Sequence, residues 1–335
     1  MTYLVTGTAG FIGNFVALAL LERGEAVIGV DNLTPYYDVT LKEARLKRLS
    51  GLKKFTEARI DIADMRALKQ VFATHKPDIV INLAAQAGVR YSIDQPHDYL
   101  HSNLEGFLNV LECCRHGKVE HLLYASTSSA YGANAQPPFK ETDSADHPVS
   151  FYAATKRANE LMAHSYSYLY GIPTSGLRFF TVYGPWGRPD MAYFKFTKAI
   201  TDGTPIDIYN AGEMFRDFTY IDDIVDGIIK LCGVIPSPYA SLSTRAPILG
   251  SSPVAPFEIY NIGNRKVVNL MDFIEILEDK IGKKAIKNMM PMQPGDVHLT
   301  HANTDKLSSV TGFSPDTKIE DGIEKFVKWY KGFYG

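Results

Sequence analysis

The stretch "YLVTGTAGFIG", residues 3 to 13, decides how the chain is read. An apolar run ends in Gly7, two further glycines follow at Gly10 and Gly13, and a helical stretch begins at residue 11. A strand, a glycine-rich turn and a helix start let bare backbone N–H groups meet a pyrophosphate at the positive end of the helix. Phe11 and Ile12 fall in that first turn and join the three glycines as candidate cofactor contacts. Tight packing of helix on strand would ask for the same glycines, so the spacing alone leaves two readings open. Asp31 strengthens the first. It ends the second apolar run, "AVIGVD" (26 to 31), where an acid would take the ribose hydroxyls of NAD and repel the 2′-phosphate of NADP. Asn32 stands next to it. "RIDIAD" (59 to 64) and "NLAAQAG" (82 to 88) lie at or beyond strand ends on the same side, which places Asp61, Ile62, Leu83, Ala84 and Ala85 around the adenine and ribose.

Outward from this motif the chain alternates strand and helix. Strands are expected at 3 to 7, 26 to 31, 78 to 85, 121 to 127 and 174 to 180, with helices at 11 to 23, 65 to 75, 99 to 116 and 151 to 170. Such alternation predicts an α/β fold, a doubly wound parallel sheet of the Rossmann type covered on both faces. Beyond about residue 180 the regularity fades. The expectation is a dinucleotide domain over 1–180 and a smaller C-terminal α/β substrate domain over 181–335, with segments that interleave. "PSPYASLSTRAPILGSSPVAP" (236 to 256) has neither hydrophobic period and reads as a mobile surface loop.

Composition narrows the function classes. Thirty-five basic residues against 37 acidic ones give a net charge of -2, with no basic tract, so a nucleic-acid partner is not expected. No apolar run reaches the roughly 18 residues of a membrane span, and the start "MTYLVTGTAG" has no charged region ahead of an apolar one. A cytoplasmic protein without a membrane partner is expected. Cys113, Cys114 and Cys232 lack a CxxC spacing and read as buried thiols. The nine histidines show no ligand spacing, so no metal is expected.

The chemistry is expected from "PVSFYAATKRANE" (148 to 160). Tyr152 and Lys156 stand four apart on one helix face, and Ser150 is a suitable N-cap. A free tyrosine, with a pKa of about 10, is a poor base at neutral pH, but a neighbouring ammonium and a nicotinamide cation favour its phenolate. A YxxxK spacing by itself also fits a surface pair. Its company decides: the nucleotide loop upstream, and the polar strand end "ASTSSAYG" (125 to 132).

These segments, with "DNL", "NLAA", "RFFTVYGPWGRPD", "RDFTYIDDI" and "NIGN", make the chain similar to the extended short-chain dehydrogenases that act on nucleotide sugars. "AGVRYSIDQP", "GPWGRPDMAYFKF" and "RDFTYIDD" resemble the UDP-glucuronate 4-epimerase family most. The resemblance implies tightly bound NAD, a UDP-sugar substrate and a 4-keto intermediate. It implies that Tyr152 is the base, Lys156 its partner and holder of the nicotinamide ribose, and Thr127 the catalytic hydroxyl. Strand alternation should turn Ser126 and Ser128 away from Thr127 if the strand continues. The family pattern also implies that Arg216 binds the UDP phosphates. Gln293 stands where related hexose epimerases often carry an arginine, and it can hydrogen-bond a phosphate without neutralising it. Arg90, after a strand end near the cleft, is a candidate for phosphate or sugar.

Substrate choice follows from what replaces what. Nucleotide-sugar dehydratases and UDP-xylose synthases carry carboxylates after the threonine, whereas this chain has Ser128 and Ser129. That argues against elimination and against a UDP-glucuronate decarboxylase. Arg188 and Thr181, with Ser128, suit a sugar carboxylate better than a hydroxymethyl group, which argues against a UDP-glucose 4-epimerase. A non-catalytic nucleotide-binding regulator would have no use for Thr127, Tyr152 and Lys156 together. By analogy, helices 99 to 116 and 151 to 170 form a homodimer interface.

Overall fold

Seven parallel strands form the central sheet of the computed structural model, which describes residues 1–133, 136–237, 252, 254–293 and 297–335. In chain order they are β1 (Thr2–Thr6), β2 (Ala26–Val30), β3 (Phe55–Ala58), β4 (Ile79–Asn82), β5 (His121–Thr127), β6 (Thr174–Phe179) and, much later, β10 (Phe257–Ile262). Between β6 and β10 come β7 (Thr181–Tyr183), β8 (Pro205–Tyr209) and β9 (Phe215–Tyr220), and after β10 come β11 (Val267–Asn269) and β12 (Ile286–Met290). The central order is β10-β6-β5-β4-β1-β2-β3. The chain winds outward from β1 through β2 and β3, then returns to build β4, β5 and β6 on the other side. That reversal opens a crevice at the carboxyl ends of β1 and β4, where ligands of such sheets sit. β4 and β6 are buried at every residue, and β1 from Tyr3 onward, because helices cover both faces.

A three-stranded sheet, β11-β9-β7, and a parallel pair, β12-β8, lie beside the main sheet. The expected helices at 11 to 23, 65 to 75 and 151 to 170 appear as Phe11–Glu22, Met65–His75 and Phe151–Tyr170. The one expected at 99 to 116 differs: helical structure runs from Pro96 to Gly117, and Leu100–Glu105 within it forms a wide π turn. Asn103 explains the widening. Its side chain bonds both backbone groups of Gln86, at 2.8 and 3.0 Å, and Asn159 donates to its carbonyl at 2.7 Å. β3, β10 and the helix Val39–Leu49 are not foreseen in the sequence; β3 is a half-exposed edge strand, "FTEA", without an apolar run. Residues 238–251 and 253 of the loop expected at 236 to 256 lie outside the described residues. Among the described residues no helix is long and apolar enough to cross a membrane, and no group of three or more His, Cys, Asp or Glu could hold a metal. The three cysteines are buried and free.

His121 begins β5, fully buried, with its ring nitrogens 2.9 Å from Ser175 Oγ and 3.4 Å from the Cys232 carbonyl. Burial pushes its pKa down to about 4. The unfolded chain takes up that proton near 6.5, so the stability this residue contributes is complete above 6.5 and is lost as pH falls towards 4. Between pH 7 and pH 5 this one group should remove about 2 kcal/mol of unfolding free energy. Urea unfolding at the two pH values should show that increment in the wild type and lose it in His121→Gln; an equal drop in both would refute it.

Candidate active site

A cleft of about 820 Å³ opens at the carboxyl ends of the central strands and continues to β8 and β9. Thr6 ties two of those strand ends together. The hydroxyl donates to Asn82 Oδ1 at 2.7 Å and accepts from the N–H groups of Leu83 and Ala84 at 3.1 and 2.9 Å, so the exit of β4 is held against the end of β1. Gly7, at φ +78°, turns the chain there. A Cβ on Gly13 would lie 2.2 Å from the Gly7 carbonyl, so helix and strand meet more closely than any side chain allows. Both readings of the glycine spacing are therefore present in one loop: Gly7 and Gly13 serve packing, and with Gly10 they also line the cleft. The helix that follows has Gly10 as N-cap and no side-chain cap, which suits its first-turn N–H groups to a phosphate.

Around that loop lie Phe11, Ile12, Asp31, Asn32, Asp61, Ile62, Leu83, Ala84 and Ala85. Asp31 accepts from the N–H of Ala9 at 2.9 Å and of Leu33 at 2.8 Å; burial pushes its carboxyl above the usual range, against those N–H groups and Lys42. Asp61 is the opposite case. Burial alone would raise it, but hydrogen bonds from Ala63, Asn32 and His101 hold it below the usual range.

Thr127, Tyr152 and Lys156 line the same cleft. Ser150 caps their helix by accepting from the Ala153 N–H at 3.1 Å, so Tyr152 and Lys156 occupy its first two turns. The strand ends at Thr127, and Ser128–Tyr131 forms a 3-10 turn. The Ser126 hydroxyl turns to Glu160 Oε1 at 2.6 Å, although Ser126, Thr127 and Ser128 all line the cleft. Burial raises the Tyr152 phenol. Opposing this are the Arg188 charge and the Thr127 hydroxyl. Burial lowers the Lys156 ammonium to about 8, and the charge that supports it is Glu160, one helical turn on. Glu160 itself is clamped by Arg178 through two 2.8 Å bonds and by Arg157 at 2.9 Å.

The far half of the cleft carries Arg90, Ser128, Thr181, Arg188 and Arg216. Arg90 lies over the Tyr209 ring at 4.6 Å, and Arg216 Nη1 donates to the carbonyls of Phe215 and His298 at 2.9 and 3.1 Å. Arg188 is paired side-on with Asp190. Gln293 is half-buried and does not line the cleft.

Sequence reasoning missed Arg45. Fully buried on the helix Val39–Leu49, it spends its guanidinium on Ala9 O at 3.0 Å, Tyr37 Oη at 2.7 Å, Trp186 O at 3.0 and 2.6 Å, and Gly187 O at 2.8 Å. The glycine loop and the loop leading to Arg188 are thus tied by one side chain. A signal was present: Arg45 shares a helix face with Leu41, Leu46 and Leu49, where a charge must be satisfied internally. Lys42, Tyr36 and Asp190 also line the cleft and were not foreseen.

Residues 3–237 match the model of the NAD dependent epimerase/dehydratase family. The chain belongs to that family. NAD is its cofactor, and the chain is an enzyme of the epimerase class. A probable UDP-glucuronate 4-epimerase of Rhizobium meliloti is 51% identical over 100% of this chain and 98% of its own. The crystal structure of UDP-glucuronic acid 4-epimerase from Bacillus cereus, in complex with UDP-glucuronic acid and NAD, superposes with a TM-score of 0.88 at 34% identity over the whole of both chains. A UDP-glucose 4-epimerase of Thermotoga maritima reaches 0.85 at 28% identity, again over both whole chains, so backbone similarity alone does not separate the two sugars.

Replacing Arg45 by Met would leave three main-chain carbonyls without their donors, at about 1 kcal/mol or more each. Arg45→Met should therefore lower the unfolding free energy by about 3 kcal/mol in urea titration, with Arg45→Lys intermediate. A loss under about 1 kcal/mol would show that the clamp is dispensable.

Proposed function

We propose that the protein is a UDP-glucuronate 4-epimerase that interconverts UDP-glucuronic and UDP-galacturonic acid. The observation that carries this reading is the company of Tyr152: a half-buried phenol that lines one cleft with Thr127, Lys156 and Arg188, the last a cation suited to a sugar carboxylate. Base and carboxylate site then share one wall. Ser128 and Ser129, where elimination would need acid and base groups, support simple epimerisation.

When bound, NAD supplies a reversible hydride acceptor for carbon 4 of the sugar. The residues do the rest. Tyr152 takes the O4 proton and later returns it, and Thr127 donates a hydrogen bond to the same oxygen and helps shuttle its proton. Lys156 holds the nicotinamide ribose, and the glycine loop with Asp31, Asn32, Asp61, Ile62, Leu83, Ala84 and Ala85 holds the remainder of the dinucleotide. Arg90 and Arg216 take the UDP phosphates, so the nucleotide stays fixed while the 4-keto sugar turns its other face to the cofactor. Arg188, Thr181 and Ser128 hold the carboxylate, keeping the bond to carbon dioxide poorly aligned with the ketone. No part is assigned to Gln293.

A homodimer belongs to the same reading. Leu100 and Leu108 on one helix, and Leu161, Tyr168 and Leu169 on the next, are exposed apolar groups on faces that pair naturally with a second copy. Light scattering that gave a monomer mass would overturn this.

NMR of the purified protein incubated with UDP-glucuronate, without added NAD, should show UDP-galacturonate. Release of carbon dioxide with a UDP-pentose would instead mean a decarboxylase. Tyr152→Phe should lower turnover roughly a thousandfold, the scale of a lost acid–base group. Arg188→Ala should lose the preference for UDP-glucuronate over UDP-glucose, and full retention of it would remove Arg188 from the carboxylate site.

A further inference from the structure

Arg188 does not face the cleft as a bare cation. Asp190 takes its Nε at 3.0 Å through Oδ1 and its Nη2 through Oδ2, while the Tyr36 phenol donates to that same Oδ2 at 3.3 Å. A Cβ on Gly88 would lie 2.7 Å from the Tyr36 hydroxyl, so the glycine leaves room for the phenol that bonds Asp190. Both side chains are about a quarter exposed or less, at 25% and 21%, and both line the cleft. Burial would raise Asp190, but Arg188 holds it below the usual carboxylate range, so the two form a neutral pair at neutral pH. The pair uses Nε and one Nη2 donor and takes neither Nη1 donor.

An uncompensated guanidinium in a water-poor cleft would bind a sugar carboxylate mainly by charge. A guanidinium already matched by Asp190 offers directed hydrogen bonds with little net attraction. The difference matters because an epimerase must release what it holds: the sugar turns over once per cycle, and its carboxylate moves with it. We propose that Asp190 acts through Arg188 to set the strength of the carboxylate grip, weak enough for the 4-keto sugar to turn while the Nη1 donors keep it selective. Asp190 is thus a specificity and positioning residue. The inference rests on the glucuronate reading.

The test uses the enzyme as purified, with its bound cofactor. In Asp190→Asn the carbonyl can still accept from Arg188, but the opposing charge is gone. Calorimetry should show UDP-glucuronate binding about tenfold more tightly, with the gain screened away at high salt. Steady-state kinetics should show KM and kcat falling together, and the affinity for UDP, which carries no sugar carboxylate, should stay within a factor of about two. Weaker UDP-glucuronate binding with UDP affinity unchanged would overturn the proposal and leave Asp190 a simple brace for Arg188. If the Asn variant fails to bind UDP, Asp190→Ser repeats the comparison with a smaller uncharged side chain. Failure of the glucuronate reading would show separately, as a wild type that binds UDP-glucuronate no better than UDP-glucose.

Discussion

The buried guanidinium of Arg45 is the constraint on which the two halves of the cleft depend. Its five N–H groups meet Ala9, Tyr37, Trp186 and Gly187, so the turn that would hold a pyrophosphate and the loop that carries Arg188 are fixed relative to each other by one planar fork. A lysine in this place would be a point charge with three donors and could not span these acceptors. The loop is braced from outside as well. Trp186, at φ +62°, packs on Trp329 and Phe333 of the last helix, with ring centroids 5.3 Å apart in each case. The C-terminal helix Ile319–Tyr334 therefore positions the active site without reaching it.

A second cluster fixes the chemistry from beneath. Glu160, buried on the helix that carries Tyr152 and Lys156, is satisfied by Arg178, Arg157 and Ser126, which come from β6, the same helix and β5. Burial opposes its charge and the two guanidiniums overcome that, so its carboxyl stays below the usual range. One turn earlier on the same helix, Glu160 keeps the Lys156 ammonium from being neutralised further by its own burial. Removing either guanidinium would expose the lysine as well as the glutamate to an unbalanced interior.

The extent to which all this was legible differs by kind of residue. The glycine turn, the strand alternation and the helix cap at Ser150 follow from local rules, and they appear where the sequence placed them. β10 did not, because its partner β6 lies some eighty residues earlier and nothing local announces the pairing. Arg45 and Asp190 were missed for a related reason: each matters through acceptors or donors brought near by folding. Tyr152 and Lys156 stand on one helix and line one cleft, as their spacing implied, but the Arg188 charge beside the phenol was not foreseen. Spacing reports which residues share a face; it does not report that Arg188 enters from the loop after β7.

The Arg188 charge beside Tyr152 has a consequence for the proposed cycle. If Arg188 both favours the Tyr152 phenolate and holds the sugar carboxylate, the two roles draw on one charge. A carboxylate bound to Arg188 would partly cancel the field that stabilises the phenolate, making the tyrosine a stronger but less ionised base when substrate is present and a more ionised one when it is absent. Asp190, already paired with Arg188, opposes the Arg188 field at the phenol before any substrate arrives. Binding and proton transfer can then share a wall without either one dictating the other.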